Sequence, residues 1–136
     1  MTGSSSTLDT VIKNGWRIVV GFLFWIHGAQ KLFAWFGRDE PVALMSEFGV
    51  AGILEFFGGL LILFGLFTRP VAFILAGEMA VAYWWKHSIG RGSIFPWENG
   101  GELVALYCFT YLLMFLIGGG DFSLDGMIRR RKTEGA

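Results

Sequence analysis

Four apolar stretches dominate this chain, and a few polar residues interrupt them. The stretches predict helices over residues 16–36, 48–67, 70–87 and 102–119. Each is close to the roughly 20 apolar residues that a helix needs to cross a bilayer, and none alternates as a strand does. Backbone groups in hydrocarbon must be hydrogen-bonded within the protein, which a helix achieves within one segment. The pattern therefore predicts an all-α integral membrane protein, a bundle of four transmembrane helices.

Most of the interrupting residues are ionisable. His27 and Lys31 lie in the first helix, Glu55 in the second, Glu78 in the third and Glu102 at the start of the fourth. A charge in the hydrocarbon region is costly unless it is paired or solvated. We therefore interpret these residues either as a binding site or as polar contacts that hold the helices together.

The first helix has one polar face. Arg17, Gly21, Phe24, His27 and Lys31 follow one another at spacings of four, three, three and four residues, which places them on one side of a helix. Because polar side chains avoid lipid, this face is predicted to point into the bundle. His27 and Lys31 are one turn apart and can contact the same ligand.

The helical rise of about 1.5 Å per residue places His27, Lys31 and Glu55 at similar depths. A Lys31–Glu55 ion pair would offset the desolvation of both groups, and it can be structural or belong to a site. His27 can likewise bond a neighbouring helix or a ligand. Glu78 has no evident partner at its depth except His27, and an unpaired carboxyl there is expected to be neutral. It can pass a proton or simply bond a neighbouring helix.

Composition agrees with a membrane protein. Of the 136 residues, 54% are hydrophobic and 16% are charged, whereas an average soluble domain has about 25% charged residues. The 11 basic and 11 acidic residues balance, which gives no support to nucleic-acid binding. His and Cys residues match no metal-binding spacing, so no metal site is predicted. The single cysteine, Cys108, is interpreted as a packing residue.

Basic residues predict the orientation. The predicted domains are a polar head over residues 1–14, the four-helix domain over 15–125 and a basic tail over 126–136. With four crossings, more basic residues fall on the side of the two termini than on the other side, so both termini are predicted to be cytoplasmic. The head lacks a basic n-region, so no cleaved signal peptide is predicted. The basic residues on the side of the termini are Lys13, Arg17, Arg69, Arg129, Arg130, Arg131 and Lys132. Those on the other side are Lys31, Arg38, Lys86 and Arg91.

Three further sets of residues bear on packing and binding. The basic cluster at 129–132 is a topological anchor or a contact for anionic lipid. Small residues let helices approach closely and predict the packing faces: Ala72, Ala76 and Ala80 on the third helix, and Gly52, Gly58, Gly59 and Gly65 on the second. Aromatic residues of the outer loop form an interfacial belt or cap a flat ring such as a quinone head: Trp84, Trp85, His87, Phe95 and Trp97.

Four short motifs, in order along the four helices, resemble the DoxX family over residues 15–125. They are His27-Gly28-x-x-Lys31-Leu32, Glu55-x-x-Gly58-Gly59-Leu60 with Gly65-x-x-Thr68-Arg69, Asn99-Gly100-x-Glu102, and Gly118-x-Gly120-x-x-Ser123-Leu124-Asp125. The resemblance implies a small four-helix protein of a bacterial inner membrane. Some relatives are subunits of a thiosulfate:quinone oxidoreductase or of a terminal quinol oxidase, and others are membrane partners in thiol and oxidative-stress defence.

The residues and the resemblance together predict a membrane subunit of a redox-linked complex that binds a quinone or a similar lipophilic ligand. Lys31 or His27 would hydrogen-bond a ring carbonyl, and Glu55 or Glu102 would supply a proton. Glu78 is included in the predicted ligand site. Electrons would come from a partner protein or a bound cofactor, since the sequence contains no redox cofactor site of its own. Motif residues with a predicted structural role are Gly28, Gly58, Gly59, Arg69, Asn99, Gly100, Ser123 and Asp125.

Two alternatives remain open at this point. In the first, the protein is a non-catalytic scaffold that docks a larger membrane complex, and its polar residues only hold the bundle together. In the second, an oligomer forms a transport or proton path, although no broken mid-membrane helix of the kind found in transporters is evident. The expected partners are the lipid bilayer and either other membrane or redox subunits or further copies of this chain.

Overall fold

The computed structural model describes residues 6–136, and within that range the protein is built of helices without a strand. The all-α prediction is therefore confirmed. The helices are α1 (Thr7–Phe33), α2 (Glu47–Phe64), α3 (Thr68–Ala82), a π-helix that continues α3 (Tyr83–Ile89), α4 (Pro96–Asn99), α5 (Glu102–Ile117) and α6 (Leu124–Glu134).

The first helix begins well before residue 16, because a polar segment supports its first turns. The Ser6 hydroxyl accepts a hydrogen bond from the Asp9 backbone N–H at 3.1 Å, as N-cap residues do. Lys13 pairs with Asp9 at 3.1 Å, one turn apart. Most of the predicted polar head is therefore helical, and its residues 1–5 lie outside the described residues.

The predicted basic tail is also helical. The Ser123 hydroxyl accepts from the Gly126 backbone N–H at 3.0 Å and caps α6, whose last turn carries Arg131 and Lys132. Basic side chains near a helix C-terminus complement its dipole. The fourth predicted helix ends two residues early, at Ile117, because Gly118 adopts a φ of 79°.

Helices α1 and α2 form a closely packed antiparallel pair. Gly21 lies against Leu63 and Gly28 against Phe56, so residue numbers rise along α1 as they fall along α2. A Cβ on Gly21 would lie 2.5 Å from the Leu63 nitrogen, and a Cβ on Gly59 would lie 2.5 Å from the Trp25 nitrogen. The glycines therefore permit backbone-to-backbone contact between the two helices.

Helices α3 and α5 form the second antiparallel pair. Ala72 and Ala76 are fully buried at their interface, as the small-residue pattern predicts, and the Cys108 thiol lies 3.4 Å from the Ala76 carbonyl oxygen. Gly58 of α2 packs against Leu75 of α3 and joins the two pairs. The resulting core contains Phe24, Ile62, Ala72, Leu75, Ala76, Met79, Tyr107, Tyr111 and Met114.

The connection between the π-helix and α5 is fastened by Asn99, which is fully buried. Its amide nitrogen donates to the Ser93 carbonyl at 2.9 Å, its amide oxygen accepts from the Gly101 N–H at 2.8 Å, and its own carbonyl lies 3.1 Å from His87 Nδ1. Gly100 adopts a φ of 71°, which favours glycine. These contacts hold the turn that leads into α5, and the structural role of Asn99 and Gly100 as motif residues stays a prediction.

Much of the outer surface is apolar: Phe109 is 71% exposed and Leu116 is 67% exposed. Among the described helices, α2 is long and apolar enough to cross a membrane, whereas α5 is apolar but shorter. The number of spans and the side on which the termini lie remain predictions.

Candidate functional site

A buried ion pair joins α1 to α2. Lys31 Nζ donates to both carboxylate oxygens of Glu55, at 2.6 and 2.7 Å, and the predicted pairing is therefore present. Glu55 is 3% exposed, whereas the Lys31 side chain is 21% exposed and reaches the edge of the interface. Helix packing brings the two groups together, because a Cβ on Gly52, one turn before Glu55, would lie only 3.0 Å from Lys31 Cβ.

Glu78 of α3 lies next to this pair. Both of its carboxylate oxygens are inaccessible to solvent and have no hydrogen-bond partner among residues 6–136. Glu55 and Lys31 are both within electrostatic reach of Glu78. Buried polar atoms nearly always have a partner, so this carboxyl group marks a place where a ligand or water can supply one.

Two tyrosines of α5 complete the cluster, and the sequence reasoning missed both. Tyr111 is fully buried, its hydroxyl has no partner in the described part of the chain, and it interacts electrostatically with Glu78 and Glu55. Tyr107 stacks on it, with ring centroids 6.1 Å apart. Their spacing of four residues inside an apolar run indicates a shared inward face, and that signal could have identified them.

His27 lies at the edge of this cluster. Its ring meets Tyr107 edge-on, with centroids 6.3 Å apart and an interplanar angle of 90°. It is half-buried and interacts electrostatically with Lys31, one turn further along α1. The structure thus brings His27, Lys31, Glu55 and Glu78 into one region, to which α1, α2, α3 and α5 all contribute.

Glu102 does not join the cluster. It is exposed at the first residue of α5, and no hydrogen bond or ion pair links it to Lys31, Glu55 or Glu78. Glu102 begins α5, and its side chain remains outside the helix interface that buries Tyr107 and Tyr111 on the following turns.

A second buried polar centre surrounds Arg17, which is 1% exposed. Its Nε donates to the Gly119 carbonyl at 2.7 Å and its Nη2 to the Phe122 carbonyl at 2.7 Å. Its Nη1 donates to the Ile62 carbonyl at 3.0 Å and also to Leu63. The sequence placed Arg17 on the inner face but counted it among the orienting basic residues. The structure gives it the role of joining α1 to the ends of α2 and α5.

The motif that follows α5 attaches to the start of α3. The Asp125 carboxylate accepts from the backbone N–H groups of Phe67 and Thr68, both at 2.9 Å. The Asp125 N–H in turn donates to the Gly65 carbonyl at 2.9 Å. Two motifs that lie far apart in sequence therefore meet at one end of the molecule. Arg69 and the loop that begins at Gly118 line a cavity there.

Within residues 6–136, no group of three His, Cys, Asp or Glu side chains could hold a metal ion. The buried cluster offers hydrogen-bond donors and acceptors, among them the Glu78 carboxyl and Tyr111 hydroxyl groups that lack a partner in the described residues.

Comparisons with known proteins identify the family. The DoxX family model matches residues 14–88, more than half of the chain. An uncharacterized protein of Haemophilus influenzae is 40% identical over 118 residues, which covers 80% of this chain and 84% of that protein. The Inner membrane protein YqjF of Escherichia coli is 30% identical over 129 residues, covering 85% and 90%.

A protein of Bacillus subtilis named "Putative oxidoreductase CatD" is 25% identical over 126 residues, covering 88% of each chain. No solved structure matches the chain. The family and the Escherichia coli relative together point to a bacterial inner membrane and a lipid environment. The chain belongs to the DoxX family.

Proposed function

We propose that this protein is a multi-pass inner-membrane subunit of a redox-linked complex, and that Lys31, Glu55, Glu78 and His27 form its site for a quinone or a similar lipophilic ligand. The observation that carries this proposal is the unpartnered Glu78 carboxyl group beside the buried Lys31–Glu55 pair. The name of the Bacillus subtilis relative, a putative oxidoreductase, supports the same class of chemistry.

A purely structural pair would be expected to sit among satisfied neighbours. Here the Glu78 oxygens and the Tyr111 hydroxyl are both buried without a partner in the described residues. An unmade hydrogen bond costs about 1–3 kcal/mol for each buried group. A ligand that supplies a donor and an acceptor would remove that cost, which supports a binding role for the cluster.

The chemistry of a quinone suits these groups. Reduction to a quinol takes up two electrons and two protons, and the ring carbonyls need hydrogen-bond donors. Lys31 or His27 supplies a hydrogen-bond donor and one proton at one ring oxygen, and Glu78 supplies the other proton at the opposite ring oxygen. Glu55 remains the ionised partner of Lys31. Glu102 is exposed at the start of α5. It therefore exchanges protons only with a ligand that extends from the buried cluster to that end of α5. The two electrons come from the redox centre of a partner protein.

The spanning arrangement belongs to the same proposal. Helix α1 has 27 residues, which corresponds to roughly 40 Å at a rise of 1.5 Å per residue. Helix α3 and the π-helix add 15 and 7 residues without a break. With α2 and α5, these elements give four crossings within residues 15–125, and the basic residues favour cytoplasmic termini.

Binding of a short-chain ubiquinone to the purified protein in mild detergent tests the site. Removing Lys31 alone leaves the Glu55 charge buried and unpaired, which is strongly destabilising, so the decisive variant is the double change Lys31→Met with Glu55→Met. We expect its affinity to fall about tenfold or more, since a hydrogen bond to a charged group contributes about 1.5–3 kcal/mol. Lys132→Met, on exposed α6, is the matched control and should bind as the wild type does.

The scaffold alternative has an observation in its favour, because the bidentate Lys31–Glu55 pair and the glycine contacts alone could hold α1 against α2. The scaffold alternative predicts that the double variant binds quinone as well as the wild type does, or that neither the wild type nor the double variant binds quinone. It also predicts fewer co-purifying membrane proteins from the variant. A folded double variant with wild-type affinity would refute the ligand site and leave the scaffold.

A further inference from the structure

A separate cavity of about 250 Å³ lies where α2 ends and α3 begins, beside the end of α5. Thr68, Arg69, Gly119, Asp125 and Arg129 are among the residues that line it. It is distinct from the proposed quinone site, because Arg69 and Glu78 are nine residues apart on α3, or roughly 13 Å along the helix.

The cavity contains more positive than negative charge. Arg69 has no hydrogen bond or ion pair among residues 6–136, and a Cβ on Gly118 would lie 3.4 Å from its Nε. Arg129 makes only a loose contact with Asp121, at 3.6 Å between two exposed side chains. The single lining carboxylate, Asp125, already accepts two backbone N–H bonds. The cavity is therefore lined by two guanidinium groups and by one carboxylate that is already hydrogen-bonded to the backbone.

A buried hydroxyl group adds a second, independent observation. Thr68 is 1% exposed, and its Oγ1 has no partner in the part of the chain that the structure describes. This oxygen lies close to Gly119, which also lines the cavity. A Cβ on Gly119 would come within 2.8 Å of it. A hydroxyl can donate to an anionic oxygen, and arginine recognises phosphate through two parallel N–H bonds.

We propose that this cavity binds a phosphate group through Arg69, Arg129 and Thr68, and that the phosphate belongs to the headgroup of an anionic phospholipid. The surroundings favour a lipid, because Phe67 beside the cavity is 60% exposed and Phe122 is 73% exposed. Pockets for drug-sized ligands enclose about 300–1,000 Å³. The smaller cavity admits a phosphate with its glycerol while the acyl chains stay outside, along the apolar surface.

The test uses the full chain in mild detergent, titrated by calorimetry with soluble short-chain phosphatidylglycerol and, separately, with inorganic phosphate. Arg69→Gln and Arg129→Gln should each weaken phosphatidylglycerol binding at least fivefold. Arg131→Gln removes the same charge from an exposed position of α6 outside the cavity, so it should leave the affinity unchanged. Because Arg129 is exposed, its variant tests the proposal even if Arg69→Gln folds poorly.

Binding of phosphatidylglycerol with this pattern supports the proposal. Binding of inorganic phosphate alone, with the same dependence on Arg69, would keep the phosphate site and overturn its lipid source. Equal binding by the wild type and all three variants would overturn the site, because no arginine would then contribute. Equal weakening in all three variants would also overturn it, because binding would then reflect only the general positive charge of this end of the molecule. Quinone binding by Arg129→Gln should remain at the wild-type level, which separates this result from the outcome for the proposed function.

Discussion

At the scale of single residues, buried charge determines much of this protein. Lys31 and Glu55 satisfy each other across one interface, whereas Arg17 has carbonyl oxygens as its hydrogen-bond acceptors. Arginine suits that position because its planar fork presents five N–H donors in fixed directions. A lysine ammonium group has three donors on a narrow tip and cannot reach carbonyls that lie on several sides.

Replacing Arg17 with lysine should therefore lower the free energy of unfolding by about 3 kcal/mol or more. The expectation follows from losing two or more charge-assisted hydrogen bonds, each contributing about 1.5–3 kcal/mol. Reversible unfolding in mixed detergent micelles, followed by circular dichroism, measures the change. Arg131→Lys on exposed α6 is the control and should change stability little. A stable Arg17→Lys protein would contradict the bonding role described above.

At the scale of helices, the two antiparallel pairs depend on residues without bulk. The contacts of Gly21, Gly28 and Gly59 bring α1 and α2 together with backbone touching backbone. That approach also sets the distance over which Lys31 reaches Glu55. Packing and polar chemistry are coupled in this pair, since any separation of the two helices lengthens the ion pair.

Gly28→Ala should destabilise the protein by about 1–3 kcal/mol, the usual cost of overpacking, because its Cβ would overlap the Phe56 backbone. Gly77→Ala on α3 is a matched control: a Cβ there meets nothing within 4 Å. It should be neutral or slightly stabilising, as alanine is favoured over glycine in helices by about 1 kcal/mol. Unfolding midpoints of the two variants provide the comparison, and equal midpoints would refute close packing at Gly28.

The sequence predicts the helices better than their ends. Hydrophobic runs identify α1, α2, α3 and α5 because lipid-facing or core-facing residues must be apolar. They do not identify the first turns of α1 or the whole of α6, which are polar helices supported by capping at Ser6 and Ser123. Such local hydrogen bonds leave no hydrophobic periodicity to recognise.

The candidate site was predicted in part. Charged residues in apolar runs are conspicuous, so Lys31, Glu55 and Glu78 could be named without coordinates. Tyr111 could not be singled out as easily, because tyrosine is also common at membrane interfaces. The carbonyl groups around Arg17 belong to the backbone, and no sequence pattern reports which of them a side chain will contact.

At the scale of the whole molecule, the distribution of basic residues predicts how the chain is oriented. A green fluorescent protein fused after Ala136 should fluoresce, because this fusion reports a cytoplasmic C-terminus. A cysteine at Ile94, in a Cys108→Ser background, should react with a maleimide that cannot cross the membrane. The control cysteine at Thr133 of α6 should stay unlabelled in intact cells. The reverse labelling pattern would contradict the predicted orientation.

The acceptors of Arg17 have a consequence for biosynthesis. Its partners Gly119 and Phe122 follow it by 102 and 105 residues, so the ribosome synthesises them long after Arg17 itself. Until then the Arg17 guanidinium group lacks half of its final hydrogen-bond acceptors. A nascent chain cut short before this point would retain that unmatched cation, so quality-control proteases could distinguish unfinished copies from complete ones.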